Sequence, residues 1–435
     1  MKYYSTNNQN LNYSFREAIM RGLASDGGLI MPQYIPALKK SFINNLNNLT
    51  FQEIAFEISK LFITDKIPSN SLQTIIEKAI NFKAPLYKLN SNTGILELFY
   101  GPTLAFKDFG ARFMAQFMNY YVDKMNNKID ILVATSGDTG SAVASAFYGI
   151  DGINVYILYP SGMVSQVQEK QLTTFGNNIT ALEIKGSFDD CQNLVKKAFV
   201  DKEINEKYNL TSANSINIAR LIPQSFYYFE AYKQITDKYD NVIFSVPSGN
   251  LGNLTAGLFA KKMGLPITKF IAANNFNNVF SNYIKTKIFK SKPTIKTISN
   301  AMDVGNPSNF IRIFKLYNEK HGLIVKDINS SYHSDEDTLK EIKYLYKKYS
   351  YLIDPHGAVA SLALKKYIKE ENPENYYGVI LETAHPFKFN DILKNILNIN
   401  VEIPDSIKHS LEQKKVSIKL SNTYSLFKEF LLSRG

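Results

Sequence analysis

Residues 242–254 read VIFSVPSGNLGNL, an apolar run that leads directly into a loop of small residues and then into a helical pattern. Residues 131–142 (ILVATSGDTGSA) have the same design. Glycines let the backbone approach a ligand closely, and the first N–H groups of the following helix have no partner inside that helix. Each loop is therefore a candidate anion site. An ordinary capped turn between strand and helix is the alternative for either loop taken alone.

Short apolar runs of this kind alternate with helical segments along most of the chain. We predict strands at residues 131–134, 155–158, 242–246, 270–273 and 379–381, and helices that include residues 111–122, 141–148, 189–200 and 254–262. This alternation predicts an α/β protein with two largely parallel sheets, each covered by helices on both faces.

The chain divides into three parts by pattern. Residues 1–93 are predicted to be mostly helical, with helices at 15–22, 51–62 and 71–82. Residues 94–230 are expected to form a smaller α/β domain, and residues 231–435 a larger one. The last 40 residues show little pattern, and we assign them no role.

Lys107 is the leading candidate for chemistry. It lies in residues 99–109, FYGPTLAFKDF, with apolar and aromatic neighbours on both sides. A lysine in an apolar pocket loses solvation of its charged form, so its pKa falls and the neutral amine becomes available. Such an amine attacks carbonyl groups to form a Schiff base. The alternative is a lysine whose stem merely covers apolar surface.

Two further segments carry ligand-binding side chains. Residues 381–386 (LETAHP) place Thr383 just beyond a predicted strand, where ligands of open α/β sheets bind. Residues 211–220 (TSANSINIAR) offer amides, hydroxyls and the guanidinium of Arg220, which suits a phosphate or carboxylate. A capped strand end and a solvated helix start are the respective alternatives.

Composition excludes several classes of protein. The 435 residues carry a net charge of +11 and a single cysteine, Cys191, which rules out an intramolecular disulfide and a multi-cysteine zinc site. The five histidines are scattered, so we expect no metal site. The lysines are dispersed, which argues against nucleic-acid binding. Without a secretory or membrane-spanning pattern, we expect a cytoplasmic protein.

Taken in chain order, these segments resemble the threonine synthase family, of the longer bacterial and fungal type. The resemblance runs from residue 2 to about residue 390 and rests on residues 2–6, 21–29, 101–110, 135–140, 214–217, 249–253, 300–309 and 382–386. It implies a fold-type II pyridoxal 5'-phosphate (PLP) enzyme, similar to the β subunit of tryptophan synthase. Many relatives carry Phe where Leu251 stands and Ala where Ser141 stands.

The resemblance implies roles for individual residues. Lys107 would bind the cofactor covalently, Thr383 would face its pyridine nitrogen, and Asp138 would lie close to its ring. The cofactor phosphate would be held by backbone N–H groups of Gly249, Asn250, Leu251, Gly252 and Asn253. The substrate carboxylate would be received by Ser136, Gly137 and Thr139, and the substrate phosphate by Asn214, Ser215, Asn217 and Arg220.

The implied reaction eliminates phosphate from the γ-carbon of O-phospho-L-homoserine and adds water at the β-carbon, giving L-threonine. This is the chemistry of a carbon–oxygen lyase acting on phosphates, in a monomer or homodimer. Two alternatives stay open: another fold-type II lyase, similar to serine or threonine dehydratases, or a non-catalytic binding relative.

Overall fold

The computed structural model describes residues 1–63, 65–123, 128–236 and 238–434. Its strands are, in chain order, β1 (Tyr3–Ser5), β2 (Asn12–Tyr13), β3 (Ile30–Pro32), β4 (Leu86–Asn90), β5 (Thr93–Glu97), β6 (Ile129–Ala134), β7 (Ile153–Pro160), β8 (Ile179–Lys185), β9 (Leu210–Ser212), β10 (Asn241–Pro247), β11 (Lys269–Asn274), β12 (Ile328–Tyr332), β13 (Tyr376–Glu382) and β14 (Ile418–Ser421).

The α-helices are, in chain order, α1 (Phe15–Arg21), α2 (Lys40–Asn44), α3 (Phe51–Phe62), α4 (Ser69–Ala79), α5 (Lys107–Val122), α6 (Asp138–Phe147), α7 (Gln166–Thr173), α8 (Phe188–Val200), α9 (Lys202–Lys207), α10 (Ile218–Leu221), α11 (Phe226–Lys233), α12 (Gly252–Lys262), α13 (Val279–Thr286), α14 (Phe310–Leu316), α15 (His321–Asp327), α16 (Asp335–Tyr349), α17 (Pro355–Glu371), α18 (Asn390–Leu397), α19 (Asp405–Glu412) and α20 (Tyr424–Leu432). Over the described residues, no helix is long and apolar enough to cross a bilayer.

The larger sheet has the strand order β12-β11-β10-β13-β5-β4. All neighbouring strands in it are parallel except the β4–β5 pair. Side chains alternate between its faces, as the two-residue period of a strand requires. Ile243 and Ile271 pack in the core beneath α17, whereas Phe244 and Phe270 lie in the core on the opposite face, with α12. Burial on both faces explains the continuous apolar runs of the sequence.

The smaller sheet has the strand order β14-β8-β7-β6-β9 and is parallel throughout. Ile131 and Val133 face the core formed with α5 and α6, while Leu132 and Leu158 pack on the other side with residues of α8 and α20. The predicted α/β class, with two sheets covered on both faces, is confirmed. All five strands that we predicted lie within observed strands.

The N-terminal region is less purely helical than predicted. Helices α1, α3 and α4 are present, although α4 ends at Ala79 rather than at residue 82. The structure adds a small antiparallel sheet with the order β2-β1-β3. Its strands are two or three residues long, too short to show a periodic pattern. This sheet packs against α3, where the Tyr3 hydroxyl donates to the carbonyl of Phe62 at 2.8 Å.

Two strands lie outside the part of the chain to which the sequence pattern assigned them. Strand β5 begins the predicted smaller domain but pairs with β13 in the larger sheet. Strand β14, at the C-terminus, pairs with β8 in the smaller sheet. Helix α20 then packs on α8 and α9, where Lys428 pairs with Asp201 at 2.9 Å. The last residues therefore complete the smaller sheet, although they follow the larger one in sequence.

We predict that the C-terminal helix stabilises the smaller sheet. Phe427 is fully buried in the core of α8 and α20, so Phe427→Ala should lower the free energy of unfolding by about 3–5 kcal/mol, measured by urea denaturation. Leu426 is 47% exposed, and Leu426→Ala is the matched control, expected to change little. Equal effects of the two substitutions would contradict this role of α20.

Candidate active site

Lys107 is the first residue of α5, and a short antiparallel contact fixes where that helix begins. The N–H of Phe106 donates to the carbonyl of Thr383 at 2.9 Å, and the N–H of His385 donates to the carbonyl of Leu104 at 3.0 Å. Because Thr383 directly follows β13, these bonds hold Lys107 at the carboxyl end of the larger sheet. Ligands of open α/β sheets bind at this edge.

The turn before Lys107 is closed by Asp108. The Asp108 carboxylate accepts hydrogen bonds from the N–H of Thr103 at 2.9 Å and from the Thr103 hydroxyl at 2.7 Å. A Cβ at Gly101 would lie 2.4 Å from an oxygen of Asp108, so only glycine fits there. Leu104 adopts a left-handed backbone with φ of 60°, a conformation that is unfavourable for a non-glycine residue. The local sequence thus builds a strained, well-defined approach to Lys107.

The surroundings of Lys107 favour its neutral amine. Its Nζ lies 4.6 Å from the centre of the Phe106 ring. Burial and, to a lesser degree, the positive charge of Arg220 lower the pKa of Lys107, the negative charge of Asp138 opposes them, and the net result is a pKa of about 8. The lowered pKa expected from the apolar sequence context is confirmed. A neutral amine beside a ligand-binding edge is a nucleophile and a general base.

Arg220 is buried against the backbone of Lys107 and is not exposed to solvent. Its guanidinium is buried, donates to the carbonyl of Ala213, and donates to the carbonyl of Lys107 at 3.5 Å. Over the described residues no carboxylate forms an ion pair with Arg220, and its Nε has no partner. The positive charge of Arg220 therefore acts on Lys107 without an ion-pair partner to neutralise it.

The loop between β10 and α12 is prepared for an anion. Among the residues that the structure describes, the five N–H groups of residues 249–253 find no hydrogen-bond acceptor. Leu251 takes a left-handed conformation with φ of 59°, which turns the chain into the helix. A Cβ at Gly249 would lie 2.8 Å from the Cα of Met302, so glycine allows the neighbouring loop to approach. Unpaired N–H groups at a helix N-terminus bind phosphate.

Asn250 and Asn253 fix this loop from two sides. The Asn250 Nδ2 donates to the Ser215 hydroxyl at 2.6 Å, and its Oδ1 accepts from the N–H of Ser308 at 2.6 Å. The Asn253 Oδ1 accepts from the hydroxyls of Tyr227 and Tyr228, each at 2.7 Å. The Asn253 Nδ2 is buried without a partner in the described chain. These hydrogen bonds fix the loop at both of its ends.

Thr383 lies directly after β13, so its position relative to the predicted strand agrees with the structure. It is buried at the end of β13, and its carbonyl is bound to the Lys107 segment. Its hydroxyl makes no hydrogen bond to any described residue and is available to a ligand. The carboxylate of the preceding residue, Glu382, accepts hydrogen bonds from the Tyr351 hydroxyl and from the N–H of Asp354. Burial raises the pKa of Glu382.

The loop between β6 and α6 is organised by Thr135. Its hydroxyl oxygen accepts from the N–H of Gly137 at 2.9 Å and from the N–H of Gly140 at 2.8 Å. A Cβ at Gly137, where φ is 138°, would lie 2.4 Å from the Gln168 side chain. The hydroxyls of Ser136 and Thr139 make no hydrogen bonds in the described chain, which leaves them free for a ligand.

Asp138 is engaged by a partner that the sequence analysis missed. Its Oδ1 accepts from Lys388 Nζ at 2.7 Å and from Gln168 Nε2 at 3.0 Å, and all three side chains are buried. Burial raises the pKa of Asp138, but the charge and hydrogen bond of Lys388 outweigh it and hold the pKa below its usual value. Lys388 has aromatic residues on both sides in sequence, the same signal that singled out Lys107.

The candidate residues of segment 211–220 differ in their surroundings: some lie beside the two loops and others are buried. Ser215 contacts the phosphate-type loop through Asn250, and Asn214 donates to the carbonyl of Ala134 at 2.9 Å, beside the β6 loop. Asn217 is fully buried, and its Nδ2 donates to two carbonyls, those of Ile19 and Ser212. Asn217 has no amide proton left for a substrate.

His356, which the sequence analysis also missed, supports the loop of residues 249–253 through the neighbouring backbone of Ala301. Its Nδ1 lies 2.6 Å from the Asp354 carboxylate, and its Nε2 accepts from the N–H of Ala301 at 3.2 Å. With Nε2 accepting from a backbone N–H, the proton on Nδ1 is placed to donate to Asp354. The Ala301–Met302 backbone that it holds lies directly against Gly249.

A cavity of about 420 Å³ opens beside the Asp138–Lys388 pair. The half built on the smaller sheet contributes Ser136, Gln168 and the start of α8, and the half built on the larger sheet contributes some of the residues within 294–303 and 388–392. It lies between the two halves, where ligand sites commonly form. Over the described residues, no group of three or more His, Cys, Asp or Glu side chains is suited to a metal ion.

Three features indicate an enzyme that binds an aldehyde cofactor carrying a phosphate. They are two α/β halves, a lysine of lowered pKa at a sheet edge, and a loop with unpaired N–H groups. Residues 84–382 match the family model described as "Pyridoxal-phosphate dependent enzyme". The chain therefore has the fold of the fold-type II PLP-dependent enzymes.

Two further family models flank this match, "Threonine synthase N terminus" at residues 2–80 and "Threonine synthase, C-terminal" at residues 357–431. The threonine synthase of Haemophilus influenzae is 43% identical over 433 residues, covering 99% of this chain and 100% of that protein. The chain belongs to the threonine synthase family.

Solved structures agree with this assignment. The crystal structure of threonine synthase from Escherichia coli superposes with a TM-score of 0.92 at 39% identity, covering 100% of both chains. The structure of PLP-bound threonine synthase from Brucella melitensis has a TM-score of 0.92 at 33% identity, covering 99% of this chain and 98% of that one. The predicted family, fold type and cofactor dependence are confirmed.

We predict that Arg220 contributes to the lowered pKa of Lys107. Arg220→Met removes the neighbouring positive charge, so the pKa of Lys107 should rise above its value of about 8. The measurement is the pH dependence of amine labelling at Lys107 in the cofactor-free protein, followed by mass spectrometry. Arg21→Met, at an exposed arginine, is the control and should leave the midpoint unchanged. A midpoint that stays or falls in Arg220→Met would refute this role.

We predict that the Asp138–Lys388 pair is needed for folding stability. Lys388→Met leaves a buried carboxylate without its cation and should cost about 3–5 kcal/mol in the free energy of unfolding. Adding Asp138→Asn should recover part of that loss, as measured in a double-mutant cycle. The exposed pair Lys408–Asp405 provides the control, since Lys408→Met should have little effect. Additive losses would show that the two groups do not interact.

Proposed function

We propose that this chain converts O-phospho-L-homoserine and water to L-threonine and inorganic phosphate. The observation that carries the proposal is the placement of Lys107, whose amine has a lowered pKa at the same sheet edge as the free Thr383 hydroxyl. Membership of the threonine synthase family supports the choice of substrate.

The residues present fit PLP. The unpaired N–H groups of residues 249–253 and the orphaned Asn253 Nδ2 suit its phosphate, and Lys107 suits its aldehyde. When bound, the cofactor supplies a conjugated ring that accepts the electron pair left on the α-carbon of the substrate. We propose that Thr383 meets the pyridine nitrogen and that Asp138 lies beside the ring.

Thr383 makes this electron sink a moderate one. A hydroxyl does not hold a ring nitrogen protonated as a carboxylate does, so less positive charge develops on the ring. Glu382 is the nearest carboxyl in sequence, but it is buried on the far side with Tyr351 and Asp354. The site thus keeps its acidic group away from the position that we assign to the nitrogen.

Lys107 is the proposed proton carrier. Once displaced by the substrate amine, its neutral Nζ is free to remove the α-proton, and the positive Arg220 behind it discourages Lys107 from retaining that proton. Loss of one β-proton supplies the electron pair that expels phosphate from the γ-carbon with its own bonding pair, and the γ-carbon then gains a proton. The oxygen of water adds to the β-carbon and releases a proton, and a proton returns to the α-carbon. Lys107 finally displaces the product amine.

We assign the substrate contacts to the free donors that line the open edge. Ser136 and Thr139 would receive the carboxylate through their hydroxyls at the α6 N-terminus, whereas the N–H of Gly137 is already bound to Thr135 and would only shape the loop. Asn214 and Ser215 stay candidates for the phosphate. Arg220 and Asn217 are buried, so we propose that Arg220 acts by its charge and that Asn217 is structural. The cavity between the halves is the proposed route of entry.

A dehydratase-like lyase is the alternative within the same fold type. The threonine synthase regions at residues 2–80 and 357–431 favour the proposed function. Comparing phosphohomoserine with serine and threonine as substrates decides between the two. Cytoplasmic location, a monomeric or homodimeric state and the absence of nucleic-acid partners stay part of the proposal.

We predict that Lys107→Ala abolishes turnover. Without this amine no residue at the site takes its place in proton transfer and product release, so kcat should fall by roughly a factor of 100 or more. Phosphate release and threonine formation are measured in parallel. Lys88→Ala, at an exposed lysine, is the control expected to retain activity. Threonine formation by Lys107→Ala at an undiminished rate would rule the scheme out.

A further inference from the structure

Arg312, in α14, is a fully buried cation close to the loop of residues 249–253. Its Nη1 donates to the carbonyl of Ser215 at 3.1 Å and to Asn309 Oδ1 at 2.7 Å. Its Nη2 donates to the carbonyls of Ile30 at 2.9 Å and Ile216 at 2.6 Å. All four acceptors are neutral oxygens.

Arg312 has no anionic partner in the described part of the chain. Its side chain is 0% exposed, and its Nε is buried without an acceptor. Burial lowers the pKa of Arg312 to about 9, so the group stays charged at neutral pH. A buried charge without a counter-charge is strongly unfavourable. A bound anion close to Arg312 would therefore stabilise the folded protein.

Two short routes connect Arg312 to the loop of residues 249–253. Asn309, held by Arg312 through Oδ1, donates from Nδ2 to the carbonyl of Asn250 at 3.0 Å. Ser215, whose carbonyl Arg312 also holds, accepts from the Asn250 side chain at 2.6 Å. A Cβ at Gly252 would lie 3.6 Å from both Asn309 and Ser215, so these two residues border the open side of the loop.

We propose that Arg312 is the positioning residue of the loop of residues 249–253, and that the phosphate of the cofactor supplies the negative charge that balances the buried guanidinium. This inference rests on the proposed function, which assigns that loop to the phosphate. Arg312 also binds the carbonyl of Ile30 in β3, so it links the N-terminal region to the loop. Phosphate binding and docking of β3 are thereby coupled.

Arg312 should affect binding of the cofactor phosphate and not binding of the rest of the cofactor. We compare binding of PLP and of pyridoxal, which lacks the phosphate, to the cofactor-free protein by absorbance titration. In Arg312→Met, PLP should bind about tenfold more weakly, as expected when one partly shielded charge is removed, while pyridoxal binding changes little. Arg312→Lys keeps the charge but loses the planar fork, so its loss should be intermediate.

A second measurement uses the unaltered protein and does not depend on the folding of any variant. Hydrogen exchange at residues 28–32 and 214–217 should slow when PLP binds but not when pyridoxal binds. Equal weakening of both ligands in Arg312→Met, or equal protection by both in the unaltered protein, would overturn the role of Arg312. If the unaltered protein binds no PLP at all, the proposed function itself fails.

Discussion

The short backbone contact between residues 104–106 and 383–385 is the constraint on which the site depends. It places the start of α5, and with it Lys107, against the backbone of Thr383 at the carboxyl end of β13. The helix start is buried between the two halves, so the ammonium form of Lys107 is poorly solvated. The chemistry of the site follows from where this contact holds the chain.

Charge is distributed unevenly around that contact. Arg220 and Arg312 are both buried, and neither has a carboxylate partner among the described residues. The one acidic side chain of the β6 loop, Asp138, is already neutralised by Lys388. The site therefore holds surplus positive charge and unpaired N–H groups before any ligand arrives. Such an environment suits a reaction in which a cofactor phosphate and a substrate phosphate are bound close together.

Much of the fold was readable from the sequence because strands buried on both faces are continuously apolar, as in β6 and β10. Strand β12 was missed because it contains serines whose polarity is satisfied inside the fold: the Ser330 hydroxyl donates to the carbonyl of Ala272 at 2.7 Å. The pairing of β14 with β8 joins distant segments, which no local pattern reveals. Lys388 carried a signal like that of Lys107, but its partner Asp138 lies far away in sequence.

The central claim is that the amine of Lys107 binds the cofactor aldehyde. The most direct measurement is reduction of the holoenzyme with borohydride, followed by digestion and peptide mapping by mass spectrometry. The account predicts a phosphopyridoxyl group on the peptide that contains Lys107 and on no other peptide. A label on a different lysine, or no label in protein that binds PLP, would contradict it.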